Sequence, residues 1–166
     1  DRFAFSSRKT PENMHFQLNE CLGCDLLYAS PAPGPHDLER EYLVADFDSA
    51  IEAKFAAKTY AKYLKKMLPH TVKREAALDI GTGDGSFLSE LIDFGFSKIV
   101  GVEPSLAPIK KSPPHIRQLI HHGCFKPMDF PPDSFDLITC FQTLEHCLDP
   151  MDLLAGIKTL LKPGGA

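Results

Sequence analysis

The 166-residue sequence predicts an α/β fold with a parallel, doubly wound sheet, and three stretches carry that prediction. In Ala77-Leu78-Asp79-Ile80-Gly81-Thr82-Gly83-Asp84-Gly85-Ser86-Phe87-Leu88 a short apolar run ends in three glycines at alternate positions, and an amphipathic pattern follows at once. Lys98-Ile99-Val100-Gly101-Val102-Glu103 is a second apolar run, closing on an acid roughly twenty residues beyond the glycines. Phe135-Asp136-Leu137-Ile138-Thr139-Cys140 is a third, with a helix-start signal downstream at Asp149-Pro150. Buried strands alternating with helical patterns are the mark of βαβ units.

Taken in order, the chain begins with strand-like residues around Cys21 and Cys24, from Phe16 to Tyr28. A helix is expected from Ser49 to Leu68, opened by a Ser49-Ala50-Ile51-Glu52 capping box. Ile51, Phe55, Tyr60, Tyr63, Leu64 and Met67 approximate one apolar face at helical spacing and are expected to pack on the sheet. The first strand falls at 75–80. Glycine tolerates positive φ and lets a ligand approach the main chain, so the turn after this strand reads as a ligand seat facing the N–H groups of the next helix. Its spacing is Gly-x-Gly-x-Gly, one residue tighter at the third glycine than the dinucleotide pattern. Further strands are expected at 98–103, 116–121 and 135–140. Pro108, Pro113 and Pro114 leave room for only a short helix between the second and third. Asp149 caps a last helix with Pro150 at its first position. Met151, Leu153, Leu154, Ile157, Leu160 and Leu161 give it an apolar face before Lys162-Pro163-Gly164-Gly165.

From about residue 75 to the end, these motifs in this order resemble the class I S-adenosylmethionine (SAM) dependent methyltransferases. The resemblance implies a Rossmann-like sheet in the spatial order 3-2-1-4. It also implies that residues 47–166 are the SAM-binding half of a seven-stranded fold whose C-terminal strands lie outside this chain. The fourth strand would then present an apolar edge, to be covered by a second copy or another partner. Mapped residue by residue, Asp79, Gly81, Gly83 and Gly85 would cradle the methionine moiety, and Glu103 with Pro104 would hold the ribose. Cys124 and Phe125 would meet the adenine, and Phe141 would complete the cofactor site. Cys124 stands where the family carries an acid, and a thiol is a poor acceptor.

The segment from Phe135 to His146 is similar to quinone-biosynthesis O-methyltransferases, where a Glu-x-x-Glu-His cluster can hold a divalent ion. Gln142 replaces the first acid, so no metal is expected there. His146 reads either as a general base or as a residue ordering the next helix. The resemblance implies methyl transfer to a small-molecule acceptor. A silent SAM-binding scaffold and an NAD(P)-dependent oxidoreductase are the alternatives.

Residues 1–46 form a separate N-terminal extension in this reading. Cys21-x-x-Cys24 is half of a tetrahedral zinc site, similar to the zinc ribbon that precedes some methyltransferase domains, sugar C-methyltransferase relatives among them. His15 is the one nearby extra donor, so zinc requires further ligands upstream. Cys124, Cys140 and Cys147 read as reduced, packed thiols. Tyr42 lies in a segment that folds over SAM as a lid in related enzymes. A net charge of −4 argues against a nucleic-acid backbone as partner. Lys62, Lys65, Lys66, Lys73 and Arg74 read as a solvated face. The sequence has no apolar run long enough for a bilayer and no visible leader peptide. No membrane partner is therefore expected, and the expected compartment is the cytoplasm.

Overall fold

Every residue of the strand Ala76–Ile80 is buried, because neighbours pair on both of its edges and helices cover both of its faces. The computed structural model describes residues 17–31, 34, 36, 37, 40, 47 and 49–166. In chain order its elements are β1 (Leu18–Glu20), β2 (Leu27–Ala29), α1 (Ala50–Met67), β3 (Ala76–Ile80), α2 (Ser86–Asp93) and β4 (Lys98–Glu103). There follow α3 (Leu106–Lys111), α4 (Pro114–Arg117), β5 (Ile120–His122), β6 (Leu137–Thr139) and α5 (Pro150–Leu160), with 3-10 turns at Pro127–Asp129 and Leu144–His146. β1 and β2 pair as an antiparallel hairpin. The other four strands form a parallel sheet in the order β5-β4-β3-β6, which is the expected 3-2-1-4.

Alternation along β3 divides the core into two layers. Ala77 faces Ala57, Ala61 and Leu64 of α1 and Phe87, Leu88 and Leu91 of α2. Ala76, Leu78 and Ile80 face the opposite layer, with Phe135 and with Leu160 of α5. Gly101 of β4 has no room for a Cβ, which would press on Thr82 and Leu88; its absence lets α2 settle onto the sheet.

Four expectations are corrected. The third strand starts at Ile120, because Pro114 opens a helical turn and the Arg117 guanidinium holds the carbonyls of Ile109, Lys110 and Ser112. In α1 the buried face is Ala57, Ala61 and Leu64. The residues Ile51, Phe55, Tyr63 and Met67 are exposed, Phe55 at 68% and Met67 at 76%. A row of alanines permits close approach to α2, and the larger side chains are turned off that row. Ser49 makes no side-chain cap bond, whereas Asp149 accepts from the Asp152 N–H at 2.9 Å as expected. Finally, the outer edge of β6 is partly covered. Ala166 donates to Asp136 O and accepts from Ile138 N, Lys162 N donates to Phe135 O, and Phe135 bridges to Leu161. His15 and Tyr42 lie outside the described residues, as does residue 46 at the expected boundary between extension and domain.

Asp136 ties these ends together. Its Oδ2 accepts from the Ala76 N–H at 2.8 Å and from Lys162 Nζ at 2.9 Å, and Lys162 also reaches Glu75 at 3.1 Å. Burial raises the Asp136 pKa, but Lys162 and the Ala76 N–H outweigh it and hold the carboxyl below the usual range. Asp136→Ala should therefore destabilise the fold by about 2 kcal/mol in urea unfolding, with the buried Ala76 N–H orphaned and Lys162 left with Glu75 alone. Because the folded pKa is depressed, the wild-type contribution is present at neutral pH. It fades as pH falls below the ordinary aspartate value toward the lower folded one. The stability gap between wild type and Asp136→Ala should narrow over that acid range.

Candidate functional site

The loop from Gly81 to Gly85 leaves β3 with φ of 75°, 59° and 72° at its three glycines, all left-handed. The three are not equivalent. A Cβ on Gly81 would overlap Thr143, and one on Gly85 would overlap Ile116. A Cβ on Gly83 would meet nothing within 4 Å, because that position opens onto a cavity. The loop is already knit to the sheet. Gly81 N and Thr82 N donate to Val102 O at 2.9 and 3.1 Å, and Gly85 N donates to Thr82 O.

Two buried acids stand behind the loop. Glu103, the last residue of β4, accepts from Gly83 N through Oε2 and from Ser105 N through Oε1, each at 2.8 Å. Burial raises its pKa, and those two N–H groups oppose the rise. Asp79 is 4% exposed, and its Oδ1 accepts from Thr139 Oγ1 on β6 at 2.7 Å. Burial lifts its pKa to about 6 despite that bond. The Thr82 hydroxyl faces the same carboxyl without closing a hydrogen bond of its own. The N–H groups that the sequence offers to a ligand are thus partly spent on carboxylates, Gly83 on Glu103 and Ser86 on Asp84 at 3.0 Å.

A cavity of about 1110 Å³ brings the expected residues together: Asp79, Gly81, Gly83, Glu103, Pro104, Cys124, Phe125, Phe141 and His146 all line it. Gly85 does not; its place in the fold is the contact with Ile116. Sequence reasoning missed Tyr60, which stacks on Phe141 at 4.3 Å with an interplanar angle of 10° while Phe87 meets both edge-on. Helical spacing put Tyr60 in the core and could not separate a core residue from a cavity wall. Thr82, Thr139 and Ala53, Ala56 and Ala57 were missed as well; of these, all but Thr139 line the cavity. Glu145, Asp149 and Asp152 give one side acidic character, beside His146 in the 3-10 turn. Burial, then the neighbouring Cys147, pushes the Cys140 thiol up to about 11. All five cysteines are free thiols.

Among the described residues no group of three or more His, Cys, Asp or Glu is gathered to hold a metal. Cys21 and Cys24 occupy the β1–β2 turn, where Asp25 N and Cys24 N donate to Cys21 O. The Gly23 N–H and the Cys24 thiol lower the Cys21 pKa. No helix among the described residues is long and apolar enough to cross a membrane.

A loop whose N–H groups already hold carboxylates is poorly suited to a pyrophosphate. The bonds from the Gly83 and Ser86 N–H groups to Glu103 and Asp84 leave this loop fewer free donors than a pyrophosphate-binding glycine turn offers. Residues 53–166 match the family model of a methyltransferase domain, and the chain belongs to that family. An uncharacterized methyltransferase of Schizosaccharomyces pombe is 30% identical over 142 residues, 75% of this chain and 49% of its own length. The ubiquinone biosynthesis O-methyltransferase of Coxiella burnetii is 34% identical over 109 residues, 63% of this chain and 45% of its own. The chain spans about half the length of these curated relatives. The solved S-adenosylmethionine dependent methyltransferase of Mesorhizobium loti superposes with a TM-score of 0.51 at 26% identity, over 66% of this chain and 52% of that one.

The glycines give a paired expectation. Gly85→Ala should cost about 2 kcal/mol in thermal or urea unfolding, from the left-handed backbone and the overlap with Ile116. Gly83→Val meets the same left-handed backbone (φ 59°) without any overlap, so it should cost stability but stay folded. It should weaken a ligand seated in the cavity by at least about tenfold, read for SAM by calorimetry. Unaltered affinity would remove Gly83 from the cofactor site.

Proposed function

We propose that this chain binds SAM in the cavity above β3 and β4 and serves methyl transfer to a small-molecule acceptor. The observation that carries the proposal is the Glu103 clasp: one carboxylate fixes the open glycine of the loop and the residue after β4. It keeps further lone pairs for hydroxyl donors such as a ribose diol. The cavity volume exceeds what one nucleoside cofactor fills and leaves space for an acceptor.

In this reading Asp79, Gly81 and Gly83 seat the methionine end, Glu103 and Pro104 the ribose, and Cys124 and Phe125 the adenine. Phe141, backed by Tyr60 and Phe87, walls the transfer point. SAM, when bound, supplies a methyl activated on a sulfonium. The protein then needs chiefly to align an acceptor for in-line displacement and to exclude water. His146, beside Glu145, is the candidate to take a proton from an acceptor hydroxyl or acidic carbon. Residues 1–46 stand as a separate zinc-ribbon-like extension, and the cytoplasm as the compartment. A second copy is the candidate to complete the cover of the β6 edge. A second reading, SAM binding without turnover, is favoured by Gln142, which puts an amide where a metal-holding relative has a carboxylate.

Calorimetric titration with SAM, S-adenosylhomocysteine and NAD tests the reading. SAM and its product should bind and NAD should not; the reverse order would overturn it. Glu103→Ala should weaken SAM by about 1.5–3 kcal/mol, the range for hydrogen bonds to a charged group. Unchanged affinity would place the ribose elsewhere. Cys124→Asp should tighten SAM up to about tenfold by offering a charged acceptor to the adenine amino group, with little change for an analogue carrying a carbonyl there. A weaker or unaltered complex would detach Cys124 and Phe125 from the adenine.

A further inference from the structure

We infer that Thr139 is a positioning residue for the cofactor: its hydroxyl holds the Asp79 carboxyl ionised and oriented for the cationic methionine end, without touching the ligand itself. The inference rests on the SAM reading above and adds a residue and a pH dependence to it.

The geometry is specific. Asp79 on β3 stands opposite Gly101 of β4 on one side and Thr139 of β6 on the other. Gly101 offers no side chain, so the lateral support comes from β6. There Thr139, 6% exposed, donates to Asp79 Oδ1 at 2.7 Å. The hydroxyl also lies 3.4 Å from Leu78 O, a longer and weaker alternative acceptor. A donor to the ionised form lowers a carboxyl pKa, and here it works against burial, which has lifted Asp79 to about 6. The titratable groups facing Asp79 are Glu103 on β4, Tyr60 on α1 and Cys140 after β6. Burial raises the pKa of both Tyr60 and Cys140, so both stay neutral and add no second negative charge. No Lys or Arg among the described residues contributes to the Asp79 shift. The carboxyl therefore waits for a cation from the ligand.

The sign follows. Asp79 is charged above its folded pKa, so SAM affinity should be full at pH 8 and should fall as pH drops through about 6. Thr139→Val removes the donor at nearly constant volume. It should move that midpoint up by about one pH unit and cost roughly fivefold in affinity at pH 6, with little effect at pH 8.5. Thr139→Ser keeps the donor and should keep the wild-type midpoint.

The experiment is calorimetric titration of SAM and of 5′-methylthioadenosine, which lacks the amino acid, from pH 5.5 to 8.5 on wild type and both variants. Thermal melts check folding, and Thr139→Cys, a weak donor of similar size, serves if the valine variant does not fold. A shifted midpoint for SAM with none for methylthioadenosine supports the inference. SAM binding with an unmoved midpoint overturns it alone. Absence of SAM binding by wild type at every pH overturns the reading beneath it, and this inference with it.

Discussion

The site depends on one constraint, a carboxyl group on the central strand of a parallel sheet. Asp79 sits where every neighbour along β3 is buried, between Gly101 of β4, which has no side chain, and Thr139 of β6. An ionised carboxylate in such a place is expensive unless donors or a cation surround it. The protein supplies one full hydrogen bond, from Thr139, and a second hydroxyl, Thr82, that closes no bond. That partial compensation leaves the pKa of the group raised to about 6 by burial. A fully satisfied carboxylate would be stable and inert here. A binding site has to stop short of that.

Glu103 solves the complementary problem. Its two oxygens each take a backbone N–H, from Gly83 and from Ser105, so the strand end and the glycine loop are held in one geometry before any ligand arrives. Preorganisation of this kind reduces what binding must spend on ordering the loop. It also settles what the loop can accept, because donors given to a carboxylate are no longer free for a phosphate. This arrangement accords with the methyltransferase domain family whose model residues 53–166 match.

The order 3-2-1-4 and the strand-end part of the cavity wall were legible because they depend on short local signals: apolar runs, a glycine turn, and acids at strand ends. What escaped depends on packing between distant segments. The glycine pattern could not say that a Cβ at Gly85 would overlap Ile116 while one at Gly83 would meet open cavity, since the distinction rests on α4, about thirty residues downstream. The α1 stripe misled for a similar reason. Size and periodicity favoured Ile51, Phe55 and Met67 as core, but the close α1–α2 contact selects alanines and turns those side chains out. Thr139 carried no sequence signal, because its meaning comes from a register 60 residues away in the chain.

One half of the cavity stands on strand ends, and the opposite half on α1 and the loop 141–149. Strand ends are fixed by the sheet ladder, so the residues that would read a common cofactor are held alike wherever this sheet forms. The α1 face and the loop have no ladder. They are held by contacts such as the Tyr60–Phe141 stack, the Asp149 cap and the Cys147 thiol on Thr143 O. They pack on β3 and its glycine turn through side chains alone, Ala57 and Ala61 over Ala77 and Thr143 against Gly81. The acids Glu145, Asp149 and Asp152 therefore lie on the part of the cavity whose position depends on side-chain contacts and not on the sheet ladder.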